Sequence, residues 1–269
     1  MRAIRIPPRP SLLADLQREL SGAEPSPTAI GRIVASDAGM SGALLKLANS
    51  ALFGGARQSK SVNQAISFLG MNQVASLMTG LLARQAIPAD GAALSSFWET
   101  SARRAVAMVF LSRRLRIVTP DVAHTFGLFC DTGMALLTAR FPDYSATFDA
   151  ACAEPVRTFT AIEDARHATN HAAIGSLLAR TWGLPDDVAW AILHHHDYAV
   201  IDDAATPDAV RSLVALSLLA NRAIDEYRGV DSTHEWSKGG ARACAYLALP
   251  EDETTDLLDQ LHDMFHECG

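Results

Sequence analysis

Helix punctuation constrains this chain more than any other feature. Apolar residues recur three and four apart along almost its whole length, and Pro, Ser, Asp, Asn or Gly interrupts them at helix-sized intervals. Pro7, Pro8 and Pro10 form a stiff extended arm, and Ser11 stands as the cap of a helix with Leu12, Leu13, Leu16 and Leu20 on its apolar face. Ser21-Gly22 closes it. Pro27 marks the start of a second helix with Ile30, Ile33 and Val34, which Asp37 or Gly39 ends. A third carries Leu44, Leu45, Leu47 and Ala48, and Asn49-Ser50 reads as its stop, with local side-chain hydrogen bonding. Ser61 opens a fourth, with Ala65, Ile66, Phe68 and Leu69 on one side and Gly70 as a left-handed stop. Asn72 is placed to cap the next helix, which Pro88 ends.

The second half follows the same grammar with longer segments. One helix is predicted over 92–115 and another from Pro120-Asp121 to about Arg140, followed by shorter ones at 142–153, 160–167 and 170–182. Pro185 suits the first turn of a helix running into His194-His195-His196. Pro207-Asp208 starts a helix reaching about Tyr227, and Pro250 precedes a last one with Leu257, Leu258, Leu261 and Phe265. No segment sustains period-two alternation. The predicted class is all-α, a multi-helix bundle. A chain of 269 residues, 49% apolar, has the material for one large or two closely packed helical lobes, and Pro88-Ala89-Asp90-Gly91 is the natural boundary between them.

The formal net charge of -7 argues against general nucleic-acid affinity, because phosphate binding rests on Lys and Arg. Met1 to Pro8 show no secretory leader, and no uncharged apolar run approaches the roughly 18 residues of a membrane span. Cys130, Cys152, Cys244 and Cys268 lie far apart without a C-x-x-C pair, as reduced thiols do in a cytoplasmic protein. Neither a nucleic-acid nor a membrane partner is expected.

Two N-terminal segments are specific in combination. Ile33-Val34-Ala35-Ser36-Asp37 precedes Leu44-Leu45-Lys46-Leu47-Ala48-Asn49-Ser50-Ala51, and Ser61-Val62-Asn63-Gln64-Ala65-Ile66-Ser67-Phe68-Leu69-Gly70 follows. The later half adds the Trp98 helix, Gly127-Leu128-Phe129-Cys130-Asp131-Thr132-Gly133, the His171/Gly175 helix, and Trp182 to His196. Over residues 5–225 the chain resembles the HDOD domain, a bacterial relative of the HD and HD-GYP phosphohydrolases. The resemblance implies an N-terminal helical lobe, about 5–90, packed on an HD-like helical lobe, about 91–225. It also implies a role in signal transduction with no established catalytic activity. Residues 226–269 carry no recognised motif and read as a C-terminal helical extension packing on the bundle.

The resemblance further implies a pocket. In active relatives a first histidine, a His-Asp pair, later histidines and a late carboxylate converge on metal ions. The matching positions here are Thr100, Cys130, Asp131, His171, His195, His196 and Asn221. Thr100 replaces the first histidine, Cys130 the histidine of the pair, and Asn221 the late carboxylate. The Gly-Tyr-Pro element of the HD-GYP group is absent, since Asp197-Tyr198-Ala199-Val200 follows the histidines. Such a site needs enough imidazoles and carboxylates to hold ions that acidify a water and offset phosphoryl charge. Too few remain for a two-metal centre. The expectation is a vestigial pocket with no catalytic residue, no metal and no cofactor.

The same residues have plainer roles. Asp131 reads as a partner of a helix end or a histidine, and His171 as a hydrogen-bonded residue at a helix start. Successive helical residues point about 100° apart, so only one or two of His194, His195 and His196 face inward. Arg103, Arg104, Arg113, Arg114 and Arg116 put a basic face on one long helix, read as a solvated or partner-facing surface. The leading expectation is a non-catalytic interaction module contacting other signalling proteins. The alternatives are a residual metal-dependent phosphohydrolase or phosphodiesterase using Cys130, Asp131, His171 and His195 around one metal, and a sensor that binds a cyclic dinucleotide as second messenger.

Overall fold

The computed structural model describes residues 4–50, 53, 58–87, 92–230 and 234–268. Among them there is no strand. The α-helices run α1 Ser11–Leu20, α2 Pro27–Ala35, α3 Ala38–Ala48, α4 Val62–Leu69, α5 Met71–Ala86, α6 Ala92–Leu115, α7 Pro120–Phe129 and α8 Thr132–Arg140. They continue with α9 Tyr144–Cys152, α10 Phe159–His167, α11 His171–Thr181, α12 Asp186–His194, a 3-10 turn Tyr198–Ile201, α13 Asp208–Tyr227, α14 Glu235–Tyr246 and α15 Glu251–Cys268.

The cap chemistry explains most boundaries. Asp37 accepts from the Met40 N–H at 2.9 Å and opens α3; Ser61 does the same for α4 through the Gln64 N–H at 3.2 Å. Gly70, at φ 82°, ends α4 and turns the chain by 119° into α5. Three expected caps move. Pro10, not Ser11, precedes α1; α5 begins directly after Gly70, so Asn72 lies inside it; Pro185 sits before the first turn of α12. Asn49 reaches further than a local stop, clamping Ser59 in both directions at 2.9 and 2.6 Å across the α3–α4 connection. Ala51 of the motif, the boundary at residues 88–91 and the Cys268 side chain lie outside the described residues.

One apolar core runs through the whole bundle. It begins at Leu13 and Leu16 on α1, passes Val74, Leu77 and Met78 on α5, and reaches Leu257, Leu261 and Phe265 on α15. Helix α13 is buried along most of its length, with α6, α12, α14 and α15 packed around it. A smaller cluster of Met134, Leu137, Tyr144, Phe159 and Ile162 fills the space under α9 and α10. No single helix among the described residues is long and apolar enough to cross a membrane.

Helices α8 and α11 meet at their first turns. A Cβ on Gly133 would lie 2.0 Å from the His171 carbonyl oxygen, so only glycine permits this approach. The contact sets Asp131, just ahead of α8, against His171, the first residue of α11.

Candidate functional site

The helix expected over 120–140 is broken. Helix α7 ends at Phe129, and Cys130-Asp131 form the bend before α8. An uninterrupted helix would carry Asp131 onward around its axis; the bend instead turns its carboxylate into the bundle, with the side chain 14% exposed.

There it meets Arg104, from the middle of α6. The guanidinium lies 2.6 Å from Asp131 Oδ2, donates through Nε to Asn221 Oδ1 at 2.7 Å, and donates through Nη1 to Cys130 Sγ at 2.9 Å. One cation thus joins three of the residues selected from the sequence. Burial opposes the Arg104 charge, but Asp131 and Cys130 outweigh it and keep the side chain cationic. Burial likewise disfavours an ionised Asp131, and Arg104 overcomes this to hold the carboxyl well below its usual range. Burial pushes the Cys130 thiol up to about 12, against the pull of Arg104, so it is an acceptor in its thiol form rather than a thiolate ligand.

The basic face expected on this helix is therefore split. Arg103 pairs with Glu99 at 2.8 Å and lies over the Tyr227 ring, whereas its neighbour Arg104 is buried. The remaining arginines, Arg113, Arg114 and Arg116, are exposed near the far end of the helix. Thr100, one turn before Arg104, accepts from Arg228 Nη1 at 3.2 Å.

The histidines fill the other side of Asp131. Its Oδ1 lies 3.2 Å from His195 Nε2 and 3.5 Å from His171 Nε2, and these two ring nitrogens are 3.1 Å apart. His196 stacks on Phe159, with ring centroids 5.0 Å apart. His195 and His196 both face inward, while His194 is only half-buried. One ligating atom from each of Asp131, His171, His195 and His196 lies within 4.8 Å of the others. Cys130 is outside this set, so the one-metal grouping anticipated with Cys130 is corrected: His196 takes that place because the Cys130 sulfur is turned toward Arg104.

Each imidazole is anchored from behind. His171 Nδ1 meets Glu163 Oε2 at 2.7 Å, His195 Nδ1 meets the Ile192 carbonyl at 2.6 Å, and His196 Nδ1 meets Glu235 Oε2 at 2.7 Å. Carbonyls and ionised carboxylates only accept, so every Nδ1 carries a proton and every Nε2 turns toward the cluster. Burial, with His196 beside it, pushes His195 down to about 4 and keeps it neutral. Burial also opposes charge on His171, but Glu163 and Asp131 prevail and hold it up at about 9. The His171 Nε2 proton then lies between Asp131 and His195.

Two supporting carboxylates escaped the sequence reading. Glu163 is fully buried, accepts from the Tyr144 hydroxyl, and also takes the His171 N–H at 3.1 Å. Its signal was present: with Phe159 and Ile162 it completes an apolar stripe on α10, where an unpaired acid has no place. Arg104 carried the same sign, sharing a stripe with Ser101, Ala105 and Met108. Glu235 shows locally only an i,i+3 pair with Lys238, while its pocket partners His196 and Tyr198 lie almost forty residues earlier. A cleft of about 630 Å³ between α1, α5 and the start of α7 is lined by Arg9, Gln17, Asn72, Thr79, Asp121 and Leu184, among others, and by none of the seven candidate pocket residues.

Comparison with known proteins places the fold. Residues 6–198 match the family model of the HDOD domain. A curated relative, an uncharacterized protein of Treponema pallidum (strain Nichols), is 24% identical over 224 residues; the match covers 81% of this chain and 42% of the relative, so the chain spans well under half its length. Among solved structures, a protein of Marinobacter aquaeolei VT8 named for signal transduction is 22% identical with a TM-score of 0.74, over 98% of this chain and 59% of its own. An HDOD domain protein of unknown function from Geobacter sulfurreducens is 18% identical with a TM-score of 0.73, covering 98% and 91%. A protein of Shewanella amazonensis SB2B named as a phosphohydrolase is 21% identical with a TM-score of 0.71, covering 98% and 95%. At these identities the likeness is one of fold.

Proposed function

Because the chain belongs to the HDOD domain family, we propose that it is a regulatory module of signal transduction whose HD-type pocket no longer turns over phosphoesters. One observation carries this reading. Arg104 spans Asp131, Cys130 and Asn221, so a fixed guanidinium stands among the positions where active relatives share a divalent ion. A guanidinium neutralises the carboxylate but offers no open coordination position, and cannot acidify a bound water. Its output then passes through contacts with other signalling proteins. The test is turnover of bis(p-nitrophenyl) phosphate and cyclic dinucleotides with added manganese or iron(II). The rate should not exceed that of an Asp131→Asn variant; turnover that this substitution abolishes would overturn the reading.

A second observation favours a resident cation in the other half of the pocket. His196 Nε2 is buried without a hydrogen-bond partner, beside the Asp131, His171 and His195 donors. Three imidazoles anchored through Nδ1 to carboxylates or a carbonyl match the way metal-binding histidines are held. Asp131, His171, His195 and His196 would hold one ion, and its charge would replace the His171 Nε2 proton as the bridge between them. Elemental analysis of protein purified without added metal tests this: one equivalent supports it, a trace counts against it.

A further inference from the structure

Glu235 lies beyond both the matched residues 6–198 and the region of sequence resemblance, yet its carboxylate is largely buried and reaches the pocket. It accepts from His196 Nδ1 at 2.7 Å, from Lys238 Nζ at 2.7 Å, and from the Tyr198 hydroxyl. Helix α14 can come this close because residue 239 is glycine: a Cβ there would meet the Tyr198 ring at 2.6 Å and Leu218 at 2.8 Å. Arg242 on the same helix pairs with Asp202 at 2.5 Å, just past the 3-10 turn.

An imidazole has two tautomers, and the pocket needs one of them. With Glu235 accepting at Nδ1, the ring proton is held there and the lone pair is placed on Nε2, the buried nitrogen that has no partner. Without Glu235 the ring is free to flip or to move its proton, and the donor set loses a member.

We propose that Glu235 is a positioning residue that presets His196 for a divalent cation, so that docking of α14 and occupancy of the Asp131/His171/His195/His196 group form one linked equilibrium. This rests on the resident-cation reading. The segment outside the family match thereby becomes the regulatory handle of the pocket. Whatever holds α14 against Tyr198 raises cation affinity, and the cation in turn holds α14.

The test uses the full chain, stripped of metal and titrated with cobalt(II) alone, followed by its visible absorption. The wild type should bind one equivalent, Glu235→Ala should bind roughly 10- to 100-fold more weakly, and Glu235→Gln, which keeps an acceptor, should recover most of the loss. In a His196→Ala background Glu235→Ala should add less than about twofold, since it acts only through His196. Gly239→Ala, which displaces α14 without touching a donor, should weaken binding in the same direction. Cobalt should also slow amide exchange in α14 of the wild type. Equal affinity for wild type and Glu235→Ala, or a full Glu235→Ala effect without His196, would overturn the proposal while leaving the cation reading intact. A wild type that gives no cobalt band refutes the cation reading itself, and the proposal falls with it.

Discussion

The Arg104 guanidinium and the Asp131 carboxylate meet at 2.6 Å inside the bundle, with side chains 6% and 14% exposed. A pair this buried gains little over well-packed apolar residues, yet losing one partner strands the other. Arg104→Ala should therefore cost about 3–5 kcal/mol. Arg103→Ala, one residue earlier, removes a half-exposed i,i+4 pair and should cost at most about 1 kcal/mol. Urea unfolding of both variants checks this, and equal losses would mean that Arg104 is not the buried cation.

The Tyr144 hydroxyl donates to the buried Glu163 carboxylate, which in turn holds His171. Tyr144→Phe keeps the ring and removes only the donor, leaving a carboxylate oxygen unsatisfied at a cost of about 1–3 kcal/mol. Denaturant midpoints should fall with little change in m-value.

At Gly133 the obstacle to any side chain is backbone, namely the His171 carbonyl. Gly133→Ala must therefore push α8 from α11, and should cost about 3 kcal/mol, the upper end for overpacking. The displacement would also part Asp131 from His171, so cobalt affinity should fall together with the unfolding midpoint.

Burial pushes His124, which touches Ser76 at 2.9 Å, down to about 4 from 6.5. The unfolded chain thus takes up this proton more readily than the folded one. The contribution of neutral His124 to stability is complete above pH 6.5 and is lost as the pH falls toward 4. His124→Gln lacks this titration. Relative to that variant, the wild type should lose roughly 3 kcal/mol across the window, at about 1.4 kcal/mol per pH unit. Urea titrations at several pH values measure it, and parallel profiles would contradict it.

Helix existence was legible residue by residue, because capping and apolar spacing act within one or two turns. Asp37, Ser61, Gly70 and Pro207 mark their boundaries where the structure has them. The break at Cys130-Asp131 was not legible, because an apolar run through 123–137 has the same periodicity whether or not it bends. Of the motif positions, Cys130, Asp131 and Asn221 meet at Arg104, and His171, His195 and His196 gather around Asp131, whereas Thr100 bonds Arg228. They said nothing of the cation among them.

What the sequence alone determined was local: the all-helical class and most of the helix ends. Tertiary structure decided which of two adjacent arginines enters the core, since residues 103 and 104 point about 100° apart and only packing sets the rotation of α6. It also decided that Glu163 and Glu235 stand behind two histidines. The Glu235–His196 hydrogen bond joins groups 39 residues apart and leaves no spacing to read, because its geometry comes into being only when the helices close around a shared core.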